Sequence, residues 1–168
     1  MQQKWIGCAS SNFRKGRHGY EPRVIVIHIV VGSLESAGMT FNDRCSAVSA
    51  HYGVGKTGEI HQFVEESDTT LHAGTVVRPT WRLLGPRVNP NYYTIGIEHE
   101  GTYVSADVPT ALFDMSVLTC AWLCNQYGLD PHVAIVGHRD YNSTQCPGDV
   151  FYARLPELRD RVAEVMPG

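Results

Sequence analysis

The run Val24-Ile25-Val26-Ile27-His28-Ile29-Val30-Val31 constrains this chain more than any other feature. An aliphatic, mostly β-branched stretch of this length reads as a strand buried on both faces of a sheet. His28 interrupts it. A second run, Val133-Ala134-Ile135-Val136-Gly137, is closed by His138 and Arg139-Asp140, then followed by Thr144-Gln145-Cys146-Pro147-Gly148. Two imidazoles at strand positions and one thiol in a loop are donors of the kind Zn²⁺ prefers. With three protein ligands the fourth position stays open, as in catalytic rather than structural zinc sites. Spacing alone does not bring the three together. A histidine in an apolar strand is more often a hydrogen-bonded core residue, and a cysteine before Pro-Gly more often serves packing or a turn.

The 168 residues suit a single domain, residues 1–168 with a core over about 22–165 and no separate second domain. A chain of this size buries a core without a disulfide scaffold. Fourteen Lys+Arg against 17 Asp+Glu give a net charge of −3. No basic stretch is interleaved with aromatics, which argues against a nucleic-acid partner. The first residues lack the apolar core of a signal peptide, and no segment approaches the ~20 apolar residues of a membrane span. The expectation is a monomer made in a cytoplasm without membrane insertion. Five cysteines are an odd number without paired spacing. Cys120 and Cys124, one helical turn apart, read as small core residues, and a Cys8–Cys45 bridge is disfavoured in a reducing compartment.

Along the chain, Asn42 or Asp43 is a candidate cap for a short helix reaching Ala50. Residues 51–64 read as a hairpin turning at Gly58. In Thr94-Ile95-Gly96-Ile97-Glu98-His99-Glu100 the alternation of a strand sends Ile95 and Ile97 to the core, with Glu98 and Glu100 opposite. A helix over about 110–127 carries Ala111, Met115, Leu118 and Trp122 at helical spacing, and Gly128 ends it. A last helix aligns Leu155, Leu158, Val162 and Val165. Irregular alternation with one hairpin predicts an α/β protein with a mixed central sheet flanked by helices.

Several of these segments resemble, in order, the zinc-dependent N-acetylmuramoyl-L-alanine amidases, a family that shares its fold with peptidoglycan recognition proteins and many phage endolysins. The matching stretches are Ile25-Val26-Ile27-His28, Val48-Ser49-Ala50-His51-Tyr52, Gly58-Glu59-Ile60, Leu71-His72-Ala73-Gly74, Thr94-Ile95-Gly96-Ile97-Glu98, Val136-Gly137-His138-Arg139-Asp140 and Cys146-Pro147-Gly148. The resemblance implies a peptidoglycan-recognition-protein-like amidase fold, with His28, His138 and Cys146 as zinc ligands. It implies hydrolysis of the amide joining the lactyl group of N-acetylmuramic acid to L-alanine. Bacterial peptidoglycan or its muropeptides would be the partner.

Two departures refine that implication. Where some relatives carry a catalytic tyrosine, this chain has Ala50, and relatives without that tyrosine use a glutamate in the strand matched here by Glu98. Glu98 is therefore the expected general base, with Tyr52 the alternative and Glu100 the fallback. Thr144, two residues before Cys146, stands where relatives carry Lys or Thr. It is a neutral candidate donor to an oxyanion, or a hydroxyl tied to its own loop. His72 is assigned to substrate binding and His51 to packing. His18, His61, His99 and His132 read as surface or locally hydrogen-bonded. Asp140 is a candidate orienter of His138 or a turn cap, and Trp81, Tyr92 and Tyr93 read as loop packing. A phage or prophage endolysin is favoured over a cytosolic recycling amidase because the ligand loop carries Cys146, where recycling enzymes use aspartate. A non-catalytic peptidoglycan-binding module and a Cys146–His138 hydrolase are the remaining alternatives.

Overall fold

The computed structural model describes residues 2–74, 76–77 and 87–167. Its frame is a six-stranded sheet built from β1 (Lys4–Trp5), β3 (Val24–Val30), β4 (Tyr52–Val54), β5 (Ile60–Gln62), β7 (Thr94–Glu100) and β8 (Ile135–Gly137). The order is β1-β5-β4-β7-β3-β8, with β4 and β5 antiparallel and the other neighbours parallel. A small antiparallel pair, β2 (Phe13–Arg14) with β6 (Thr69–Thr70), stands apart. This is the mixed sheet that the sequence predicts.

β3 and β7 are the two longest strands and pair along their whole length; β3 is aliphatic on both faces up to His28, whereas β7 is aliphatic on the face that carries Ile95 and Ile97. Ile25, Ile27, Ile95 and Ile97 are fully buried in one core with Leu112, Phe113 and Leu123 of α2 (Thr110–Tyr127) and Leu155, Leu158 and Val162 of α5 (Leu155–Val165). On the opposite face Val24 and Val26 pack with Ala73, Tyr93, Val136 and Tyr141. Helix α1 (Leu34–Asn42) buries Ala37 and Phe41 against Ala50, Phe63 and Val64, with the Phe41 and Phe63 rings edge-on at 4.9 Å. The hairpin turns where expected, and Gly58 takes a φ of +91° that a side chain would strain.

Four local expectations need correction. The helix expected to run from Asn42 or Asp43 to Ala50 instead precedes that point. Ser33 and Ser36 cap each other's backbone N–H groups and start α1 at Leu34, and Asp43 follows its end in an extended conformation. Asp43 still accepts a local N–H, from Cys45, but in a turn. The run before His138 divides into a helical turn, α3 (Pro131–Ala134), capped by Asp130, and the short strand β8.

Helix α2 has the predicted span and ends at Gly128 in the left-handed conformation, but its core face is turned. Leu112, Phe113, Val117, Cys120 and Cys124 are buried, whereas Leu118 is 49% exposed. Small residues, among them Ser116, let α2 lie close to the sheet on that side, so hydrophobicity alone mispoints the stripe. In α5, Val165 likewise falls outside the buried face. All five cysteines are free, Cys8 and Cys45 included. No helix among the described residues is long and apolar enough to cross a membrane.

Candidate metal centre

The site grows out of the pairing of β3 with β7 and β8. The parallel register sets Val24 beside Thr94, Val26 beside Gly96 and His28 beside Glu98. Alternation then sends His28 and Glu98 to the same face, away from the α2–α5 core. β8 pairs with the other edge of β3, and His138 follows its last residue directly. The Cys146 loop is tied to that corner because Arg139 N–H donates to the Cys146 carbonyl at 3.0 Å. Asp140 holds the corner as a cap, accepting from Gly137 N–H at 2.8 Å, and it also takes the Tyr152 hydroxyl.

These constraints bring His28, His138 and Cys146 together, with one ligand atom from each lying within 4.8 Å of the others. The His28 and His138 rings are 4.4 Å apart, and Cys146 Sγ is 3.8 Å from His28 Nδ1. His138 turns Nε2 to the Ala73 carbonyl at 3.4 Å and to Asn142 Nδ2 at 3.2 Å, so Nδ1 is its free nitrogen. The trio lines an open groove of about 450 Å³ together with His72, Glu98 and the rim residues Val31 and Val48.

Burial governs the electrostatics. It drives His28 well below the usual imidazole range, reinforced by His138 and His72, and it lowers His138 as well. It pushes the Cys146 thiol up to about 12, with the Glu98 carboxylate adding to the shift. Glu98 is pushed up to about 7 by the same desolvation, and its Oε2 is buried with no hydrogen-bond partner among the described residues. Every group at the groove is thus pressed toward neutrality, and a divalent cation would relieve the thiol and the carboxyl at once. Two imidazole nitrogens and a sulfur at this spacing fit zinc.

The other singled-out residues separate cleanly. Tyr52 is fully buried on the opposite face, edge-on to Trp122 at 6.1 Å, and is remote from the trio. Glu100 accepts from Lys56 N–H and lines a different hollow with Lys4, Glu35 and Glu59. Thr144 Oγ1 accepts from Cys146 N–H at 3.1 Å. His51 is buried behind β7, where its Nδ1 accepts from Gly96 N–H at 3.1 Å. His99 is neither at the surface nor locally paired: it is fully buried and meets the His28 carbonyl and Ser116 Oγ. Trp81 lies outside the described residues. His72 stands at the groove with both ring nitrogens engaged, Nδ1 by His28 and Nε2 by Thr94. Asn91, unremarked in the sequence, clamps this segment by accepting from the His72 and Ala73 N–H groups at 3.1 and 2.9 Å.

The profile of the N-acetylmuramoyl-L-alanine amidase family matches residues 18–149, most of the chain and all of the trio. The chain belongs to that family. It is 29% identical over 128 residues to N-acetylmuramoyl-L-alanine amidase A of Achromobacter lyticus, covering 75% of this chain and 63% of that protein. The chain thus spans less than two thirds of that relative's length. The amidase fold recurs in the selenomethionine crystal structure of AmpD (TM-score 0.74, 22% identity, 93% of each chain covered). It recurs also in the amidase LysC from Clostridium intestinale URNW (TM-score 0.67, 20% identity, 97% and 95% covered). At these identities the structural likeness is one of fold.

Proposed function

We propose that this chain is a zinc-dependent N-acetylmuramoyl-L-alanine amidase that cleaves the bond between the lactyl group of N-acetylmuramic acid and L-alanine of peptidoglycan. The observation that carries this reading is the juxtaposition of His28, His138 and Cys146 with an unpartnered, buried Glu98 carboxyl oxygen in one open groove. His28, His138 and Cys146 would hold the metal. Zinc bound there supplies Lewis acidity toward the scissile carbonyl and makes water more acidic.

The remaining chemistry belongs to the protein. Glu98 takes a proton from the attacking water as its oxygen bonds to the carbonyl carbon. It then delivers that proton to the L-alanine nitrogen as the carbon–nitrogen bond breaks. A carboxyl near neutrality suits both transfers. Thr144 uses its oxygen to hold the Cys146 N–H, which leaves its hydroxyl proton to be donated to the carbonyl oxygen as charge develops. The groove is open to solvent, which admits a polymeric substrate, and its ligand loop carries Cys146; both are in keeping with a phage or prophage endolysin, with a cytosolic recycling amidase the alternative. A Cys146–His138 hydrolase needs a thiolate, which burial opposes in the absence of a cation.

The deciding experiment incubates the protein with insoluble peptidoglycan and with a soluble anhydro-muropeptide, each with and without chelator. New alanine amino termini without new reducing ends, abolished by chelator and restored by zinc, are expected, with the polymer cleaved faster. Binding without cleavage of either substrate would contradict the reading in favour of a recognition module.

A further inference from the structure

A line of hydrogen bonds runs from the backbone to the trio, and its proton positions follow from one hydroxyl. Thr94 Oγ1 lies 2.8 Å from the Pro90 carbonyl, which only accepts, so the threonine's single proton points there. Toward His72 Nε2, 2.9 Å away, the same oxygen is the acceptor, and Nε2 carries the proton of that ring. A neutral imidazole has one N–H, so His72 Nδ1 is a lone pair. It stands 2.8 Å from His28 Nε2, which must donate to it. His28 Nδ1 is then the bare nitrogen, and it is the one that faces Cys146 Sγ.

We propose that His72 is a positioning residue: by accepting from His28 Nε2, it holds His28 in the one tautomer whose Nδ1 lone pair is turned on Cys146 and His138. The role rests on the reading of the trio as a metal site. It differs from substrate binding, because both nitrogens of His72 are already committed within the protein.

The surroundings are shaped for this relay. Register places Thr94, Gly96 and Glu98 on the groove face of β7, and the His72 ring lies over Gly96. A Cβ at Gly96 would come within 2.6 Å of His72 Cγ and 2.7 Å of its Nδ1. The missing side chain is the space that the relay occupies. The Asn91 clamp fixes the backbone of the same segment, and the His28 and His72 rings meet edge-on. Groups that orient a metal-bound histidine through its second nitrogen typically contribute ~10- to 100-fold in metal affinity.

Two measurements test the proposal. Nitrogen-15 NMR of the imidazoles in metal-free wild-type protein at neutral pH is expected to show both His28 and His72 protonated on Nε2. A proton on His28 Nδ1 would overturn the relay, and this spectrum requires no variant to fold. Zinc affinity, read by competition with a chromophoric chelator, is expected to fall ~10- to 100-fold in His72→Leu. His72→Asn, whose amide oxygen can accept near the position of Nδ1, is expected to recover most of that loss. Equal affinity in wild type and His72→Leu, or an equal loss in Leu and Asn variants, overturns the positioning role alone. A wild-type protein that takes up no zinc overturns the metal-site reading and this role with it.

Discussion

His28 and Glu98 stand directly opposite one another on adjacent parallel strands, and both side chains leave the same face of the sheet. One backbone register therefore sets the distance between a metal donor and the proposed base, without any loop intervening. Glu98→Gln keeps the shape and removes the proton acceptor. The account predicts a fall in kcat of ~10²- to 10⁴-fold with zinc affinity little changed, measured by release of alanine amino termini and by chelator competition.

The same residue sets an acid limb. Glu98 must be ionised to act as a base, so kcat/KM is expected to fall as pH drops. Burial places its carboxyl at about 7 in the metal-free protein, and a cation in the trio pulls that midpoint lower. The limb should lie below neutrality in zinc-loaded wild type and be absent from the residual activity of Glu98→Gln.

Thr144 carries a smaller share. Its hydroxyl is the proposed neutral donor to the oxyanion, and its oxygen already anchors Cys146 N–H. Thr144→Val is expected to lower kcat by ~10²-fold with KM little altered, whereas loss of only a loop contact would leave kcat nearly intact.

Stability of the metal-free protein should depend on His99. Burial holds this ring down at about 4 against 6.5 in the unfolded chain. Below pH 6.5 the unfolded chain takes up a proton that the folded one refuses until about pH 4. The ring's contribution is thus complete above 6.5 and is lost as pH falls from there toward 4, by on the order of 3 kcal/mol. Urea unfolding at about pH 7.5 and about pH 4.5 measures it, and His99→Asn should reduce the difference by that share while buried His28, His51 and His72 keep the rest.

Gly148 guards the Cys146 loop. It has φ +85° and ψ 151°, a region open essentially to glycine alone, and a Cβ there would lie 2.3 Å from the Tyr103 carbonyl oxygen. Gly148→Ala should destabilise the fold by roughly 3 kcal/mol or more and weaken zinc binding, because the loop cannot close on Tyr103. Denaturant unfolding and chelator competition read the two effects.

Much of this was legible in the sequence: His28 stands out from an aliphatic strand, whereas Glu98, in a strand that also carries His99 and Glu100, is distinguished by the family resemblance. Periodicity also set the ends of α2, where Gly128 stops the helix, but not its inward face. That face is lined partly by Ser116, Cys120 and Cys124, whose small side chains matter for closeness rather than hydrophobicity. Helix α1 leaves little trace in the sequence because its start depends on two serines capping each other ahead of a stretch containing Gly38 and Thr40. The setting of His72 was illegible for a different reason. It depends on Gly96 having no side chain and on Asn91 holding the segment across space, and neither contact leaves a periodic trace.

The central claim, that His28, His138 and Cys146 form one metal centre, is tested most directly by zinc K-edge X-ray absorption on the zinc-loaded protein. The account predicts one sulfur at about 2.3 Å with two imidazole nitrogens at about 2.0–2.1 Å, and loss of the sulfur shell in Cys146→Ser. A stoichiometric zinc with no sulfur neighbour, or a sulfur shell that survives in Cys146→Ser, would contradict it.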